Sequence, residues 1–210
     1  MREFFISFDE LTMRVLLVVT GLAAGYQAFT LSKRRPEPAD SGQWGRDPTR
    51  NLTRVRDLFL ILTLGLVFSV AVSPSIVLIN VLELSFPLDS LVQTIGICLI
   101  VTGSILGAWA LRTLGEFASE RIMIMKNHRL VQTGPYRFVR HPMYGSTLLI
   151  GLGLFLLYLN IIFLILLLPI FAIDIYRAKV EEKMLASPDV FGTRYQEYRS
   201  RTRRFIPYIF

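Results

Sequence analysis

The chain has 210 residues, 52% of them hydrophobic and 19% charged, with a mean hydropathy of +0.48 and a formal net charge of +7. The core of a soluble domain of this length cannot absorb so many apolar side chains, and they fall in long runs, the pattern of membrane-spanning helices. One cysteine, Cys98, lies inside such a run, which excludes an intramolecular disulfide and reads as a small core or lipid-facing residue.

The opening "MREFFISFDE" carries three acids and no small-residue cleavage site, so it does not read as a signal peptide. A first apolar run follows from about Leu11 to Leu31, with Arg14 placed to snorkel to the interface. "SKRRPEPADSGQWGRDPTRN" is rich in Pro, Gly and charge and predicts a loop. A second run spans about Leu58 to Leu82, interrupted by Pro74, and a third about Leu88 to Leu111. Each has the ~20 residues that cross ~30 Å of hydrocarbon as a helix.

The fourth apolar stretch, Tyr144 to Tyr176, has 33 residues with Asn160 near its centre. That predicts a tight hairpin of two spans of about 16 residues, turning at Leu159–Asn160, with Pro169 kinking the returning helix. "RAKVEEKML" then extends the last helix, which breaks at Ser187–Pro188 and restarts. The expected architecture is therefore an all-α integral membrane protein with five transmembrane helices, the last two a hairpin. Residues 1–112 form a three-helix region with a loop at 32–57. Residues 113–210 hold a connector, the hairpin 142–180 and a C-terminal helix and tail.

Lys and Arg test this count. Seven fall in Ser32–Asp57, six in Arg112–Met143 and eight in Arg177–Phe210, while Pro74–Pro87 and the hairpin turn hold none. Alternate connections are basic and empty, as five crossings require. The positive-inside rule puts the N-terminus outside and the basic segments in the cytoplasm. The net charge thus reflects topology and anionic headgroups; no aromatic–basic module for nucleic acid is present.

Three clusters converge on that cytoplasmic face. "GPYRFVRHPMYG" packs Tyr136, Arg137, Arg140, His141 and Tyr144 against the mouth of the fourth helix. Pro142 suits its first turn, and the helix N-terminus beside Arg140 and His141 favours an anion. Interfacial anchoring by Arg and Tyr is the alternative use of the same residues. In "RAKVEEK", Glu181 and Glu182 point about 100° apart, one toward the bundle and one toward water, and Arg177 stands at i−4 from Glu181 as an ion-pair candidate. The tail "FGTRYQEYRSRTRRFIPYIF" is Arg-rich and ends apolar. His128, His141 and the distant Cys98 have no metal-site spacing, and no nucleotide or hydrolase fingerprint is present. "GLG" at Gly151–Gly153 reads as small-residue helix packing.

In order and spacing, "HRLVQTGPYRFVRHPMYGS", "RAKVEEKML" and "FGTRYQEY…RRFIP" resemble the isoprenylcysteine carboxyl methyltransferase family. These are integral-membrane S-adenosylmethionine-dependent enzymes related to the phospholipid N-methyltransferases. The resemblance covers about Leu114 to Pro207, and the chain looks like a shorter, prokaryotic-type member. It implies S-adenosylmethionine as cofactor, S-adenosylhomocysteine as product and a lipid-like or prenylated substrate drawn from the membrane. It implies that His128, Leu130, Val131, Gly134, Tyr136, Arg140, His141, Tyr144, Glu181 and Glu182 surround the cofactor, and that Arg140, Glu181 and a tail arginine serve the reaction. By position that arginine is Arg201. "RSRTRRFIP" departs from the eukaryotic Lys-Lys-Arg-Val-Pro pattern, so Arg203 and Arg204 are alternatives. Carboxylate methylation is the leading expectation and lipid amine methylation the runner-up. A nicotinamide-dependent sterol reductase would need many extra helices. A scaffold or transporter subunit is the reading from another class, and a transporter would carry ionisable residues near the midplane of its spans.

Overall fold

The computed structural model describes residues 47–72, 84 and 89–206. The first expected span, most of the 32–57 loop, Pro74 with the loop beyond it, and the end of the tail from Pro207 lie outside these residues. Among the described residues the chain is helical and has no strand. The helices are α1 (Arg50–Val72), α2 (Asp89–Leu114), α3 (Pro142–Tyr158), α4 (Ile161–Leu185) and α5 (Thr193–Arg201), with 3-10 turns at Gly115–Phe117 and Gly134–Arg137.

The third expected span appears as α2. The second is seen only as far as Val72, in α1. Among the described residues two stretches, Leu91–Phe117 with 27 residues and Ile161–Leu185 with 25, are long and apolar enough to cross a bilayer; Pro142–Tyr158 is a shorter apolar helix. Large apolar side chains such as Ile61, Phe68, Ile105 and Leu168 face outward, and so does Cys98. An apolar outer surface is costly in water and natural in lipid.

The hairpin turns where expected. Leu159 takes the left-handed conformation at φ 47° and ends α3. Asn160, fully buried, caps α4 by accepting the Ile162 N–H at 3.0 Å. The returning helix runs 25 residues and stays helical through Pro169, which leaves the Ile165 carbonyl without its usual donor. It runs on to Leu185 through "AKVEEKML", the extension expected beyond the hairpin's end at residue 180, and stops just before Ser187–Pro188.

α2 packs most extensively on α3, and glycines set the approach. A Cβ on Gly153 would lie 2.7 Å from the Gly96 carbonyl oxygen and 2.6 Å from Ile100, and one on Gly96 would lie 2.7 Å from the Leu157 nitrogen. The two backbones therefore touch, as small-residue seams permit in membranes. Below this seam Ile100, Leu154, Leu157 and Phe163 form the apolar core. A second cluster, Ile122, Ile124 and Met184, seats the connector on the end of α4.

Candidate functional site

The site is built where the connector, the end of α4 and the tail meet. Gly134 starts the turn with φ 56°, a conformation glycine adopts without strain, and a Cβ there would meet the Thr113 hydroxyl at 2.6 Å. The turn buries Tyr136, whose carbonyl accepts the Tyr198 hydroxyl at 2.7 Å. From Phe138 to His141 the chain runs beside the tail. The Arg140 N–H donates to the Arg203 carbonyl at 2.8 Å and that of His141 to the Arg204 carbonyl at 3.0 Å. The tail is thus stitched to the segment that starts α3.

Glu182 ties these pieces together. Its carboxylate accepts from Arg140 Nε at 2.9 Å and from Arg204 Nε and Nη2 at 3.0 and 2.8 Å. Its side chain is only 4% exposed, and His141 Nε2 stands 3.4 Å away. Arg140 Nη1 also donates to the carbonyls of Thr202 and, at 3.2 Å, Arg199. Arg204 is held above its ordinary pKa mainly by the bond to Glu182. One acid therefore locks two arginines, the α3 entry and the tail.

Beside this lock lies a cavity of about 430 Å³. Of the expected site residues it brings together His128, Leu130, Val131 and Tyr136 from the connector, Arg140, His141 and Tyr144 at the α3 entry, and Glu181 from α4. The adjacent glutamates divide as their spacing requires: Glu181 reaches the wall, a third exposed, while Glu182 is buried in the lock. Gly134 shapes the turn. Neither Gly134 nor Arg201 is among the wall residues. Arg201 is exposed and donates to the Glu197 carbonyl at 3.4 Å and to Gln132 Oε1 at 3.3 Å.

His128 stacks on Phe117 with ring centroids 5.2 Å apart and meets Phe191 edge-on at 5.7 Å. Its Nδ1 is buried without a hydrogen-bond partner among the described residues. Burial lowers the His128 pKa from its ordinary 6.5, so the ring stays neutral in the folded protein. The unfolded chain then binds more protons, and stability should fall as pH drops below about 6.5. Thermal unfolding in detergent from pH 7.5 to 5.5 should show a slope that flattens in His128→Gln; an unchanged slope would mean that other groups carry it. Burial likewise raises the pKa of Tyr136, Tyr195 and Tyr198, which remain neutral phenols.

The other half of the cavity is apolar, lined by Leu60 and Leu64 of α1 and Leu154, Phe163 and Leu167 of the hairpin. At the junction stand two arginines. Arg177 does not pair with Glu181 as its i−4 spacing suggested. Its guanidinium, 2% exposed, donates to the hydroxyls of Thr49, at 2.7 Å, and Thr53, and to the Glu120 carbonyl at 2.5 Å, with Asp47 at 3.8 Å. Three acceptors, the buried Thr49 hydroxyl among them, outweigh one neighbouring acid that already faces the cavity. Arg56 of α1 is the second, and its Nη1 lies 3.5 Å from Asp174 Oδ1 in the middle of α4. Sequence reasoning passed over Arg56 and Asp174, although charges in or beside apolar runs were the available signal.

These features define a class: a helical protein with membrane-length apolar helices and an amphiphilic cavity where its polar connector meets them. Residues 95–187 match the family model described as isoprenylcysteine carboxyl methyltransferase (ICMT) family. The protein-S-isoprenylcysteine O-methyltransferase of Saccharomyces cerevisiae is 33% identical over 125 residues, 57% of this chain and 50% of the relative. Protein-S-isoprenylcysteine O-methyltransferase B of Arabidopsis thaliana is 30% identical over 125 residues, 56% of this chain and 60% of the relative. A solved structure of the eukaryotic intramembrane Ras methyltransferase ICMT shares the fold at TM-score 0.51 and 23% identity, covering 77% of this chain and 53% of that one. Residues 95–187 are thus similar to the isoprenylcysteine carboxyl methyltransferase family. The chain spans between half and three fifths of the length of these curated relatives.

Proposed function

We propose that this protein is a membrane carboxyl methyltransferase that takes a methyl group from S-adenosylmethionine and esterifies an amphiphilic, prenylcysteine-like acid. One observation carries the reading: a single cavity joins a polar wall of Arg140, His141 and Glu181 to an apolar wall of Leu60, Leu154 and Phe163. Its volume of about 430 Å³ falls in the range of small-molecule sites, roughly 300–1,000 Å³. Proposed with it are a five-helix topology, a prokaryotic inner-membrane location, an external N-terminus and a cytoplasmic site, as the alternation of basic and empty segments requires.

The wall residues suit the methyl donor. The buried, unpartnered His128 Nδ1 calls for a polar ligand atom. Leu130 and Val131 offer apolar surface to an adenine. Glu181 offers a carboxylate to an ammonium or to ribose hydroxyls, and Arg140, with the start of α3, a positive field to a carboxylate. Tyr136 and Tyr144 close the wall with neutral phenols. Glu182 and Gly134 act from behind it, by fixing Arg140 and the turn. S-adenosylmethionine, when bound there, supplies the electrophilic methyl group. A substrate carboxylate is already ionised at pH 7, so the chain need not provide a base; its work is to hold, orient and exclude water. Arg201 faces solvent beside Gln132, which supports looking for the substrate-holding cation on the cavity wall.

Calorimetry tests the donor site. The purified protein should bind S-adenosylhomocysteine, and Glu181→Gln should weaken that binding by about 10- to 100-fold while leaving the fold intact, the loss expected for a charge-assisted contact. No binding by the wild-type protein, in detergent and in lipid, would sink the enzyme reading.

A further inference from the structure

The cavity changes character at Arg56, and we propose that Arg56 holds the anionic end of the amphiphilic substrate, with Asp174 as its positioning residue. This inference rests on the cavity being an amphiphile site. Arg56 lies one helical turn before Leu60, and two before Thr63 and Leu64, all on the cavity wall. A chain lying against those residues brings its charged head to the guanidinium.

The other cavity arginines are committed or remote. Arg177 commits both Nη atoms to Thr49, Thr53 and the Glu120 carbonyl, which leaves only its buried Nε without a partner among the described residues. Arg140 is held by Glu182 and the tail. Arg121 and Arg129 are exposed. Arg56 has a different set of partners. Its Nε and Nη2 donate to Asp57 at 3.2 and 2.9 Å, and Asp57 is its sequence neighbour, 42% exposed. An incoming carboxylate can displace Asp57, which turns to water at little cost.

Asp174 cannot leave. It is 1% exposed, and neither carboxylate oxygen accepts a hydrogen bond from a described residue. A buried acid held by an ion pair at 3.5 Å without a hydrogen bond is a costly arrangement, and a charge inside an apolar helix of membrane length marks function by default. Its effect is to hold the Arg56 side chain across the cavity wall from α4. Esterification removes the charge that Arg56 grips, which favours release of the neutral product.

The test is direct binding of N-acetyl-S-farnesylcysteine and of its methyl ester to the full chain in lipid nanodiscs. The wild-type protein should prefer the acid by about 10- to 100-fold. Arg56→Gln should bring that ratio close to one with S-adenosylhomocysteine affinity unchanged. Arg56→Lys, which keeps the charge but loses the two-pronged grip, should keep part of it and serves if the glutamine variant fails to fold. Asp174→Asn should raise KM for the acid several-fold with kcat held, and add nothing in the Arg56→Gln background; a merely structural role would lower kcat and thermal stability together. Retention of the full preference in both Arg56 variants overturns the proposal, as does a wild-type protein that binds acid and ester alike or binds neither. Loss of the preference in Arg201→Ala, with Arg56→Gln unaffected, would return the role to the tail. Acid preference without any methyl transfer would instead defeat the methyltransferase reading and leave Arg56 as the anion site.

Discussion

Glu182→Ala should cost about 3–5 kcal/mol of stability and abolish methyl transfer, the range for removing one partner of a buried ion cluster. The substitution leaves the Arg140 guanidinium, 8% exposed, without its counter-charge. Arg204, at 16%, is freer to swing into water, so most of the penalty falls on Arg140. The loss is more than local, because the same carboxylate joins the α3 entry to a tail that is otherwise held there mainly by backbone hydrogen bonds from residues 138–141. Trypsin should then cut at Arg199, Arg201 or Arg203 in the variant under conditions that spare the wild-type protein. Glu182→Gln, which keeps an acceptor but no charge, should fall between the two. Glu181→Gln is the control: one residue away and partly exposed, it should leave thermal unfolding and tail protection near normal. Equal destabilisation by the two substitutions would mean that the lock is not centred on Glu182.

Gly153→Leu should be the most damaging change in the apolar helices. The first added atom would already lie 2.7 Å from the Gly96 carbonyl oxygen, part of a backbone that cannot swing aside. α2 and α3 must separate, at a cost of about 1–3 kcal/mol or more for overpacking. Separation also moves Leu154, which lines the cavity from the same helix, so substrate turnover should fall with stability. Gly65→Ala makes the contrast, since nothing lies within 4 Å of a Cβ there. In a helix that change should be neutral or stabilising, by about 0.5–1 kcal/mol. Detergent unfolding curves of the two variants check both signs.

What the sequence made legible follows from the range of the forces involved. The hairpin turn was legible because an Asn between two apolar runs is both a poor membrane residue and a good helix cap. The split between Glu181 and Glu182 was legible because helix geometry separates adjacent side chains; which one would be buried was not, since that depends on Arg140 and Arg204 arriving from elsewhere. The partners of Arg177 were out of reach. Thr49 and Thr53 lie 128 and 124 residues away, and an i−4 acid was the nearer candidate. Arg201 was placed by its position in a motif, and a motif spacing does not set the direction its side chain takes, here toward Gln132. Arg56 and Asp174 were visible as charges in or beside apolar runs, but only the packing of α1 on α4 makes them a pair.

The most direct measurement follows the methyl group itself. The purified protein is incubated with methyl-labelled S-adenosylmethionine and a membrane lipid extract, or N-acetyl-S-farnesylcysteine, and the products are treated with base. Carboxyl methylation gives label that enters the organic phase and is then released as volatile methanol. Label that stays in the lipid after base would make the protein an N-methyltransferase. No incorporation from either substrate by protein that binds S-adenosylhomocysteine would contradict the assignment of carboxyl methyl transfer to this chain.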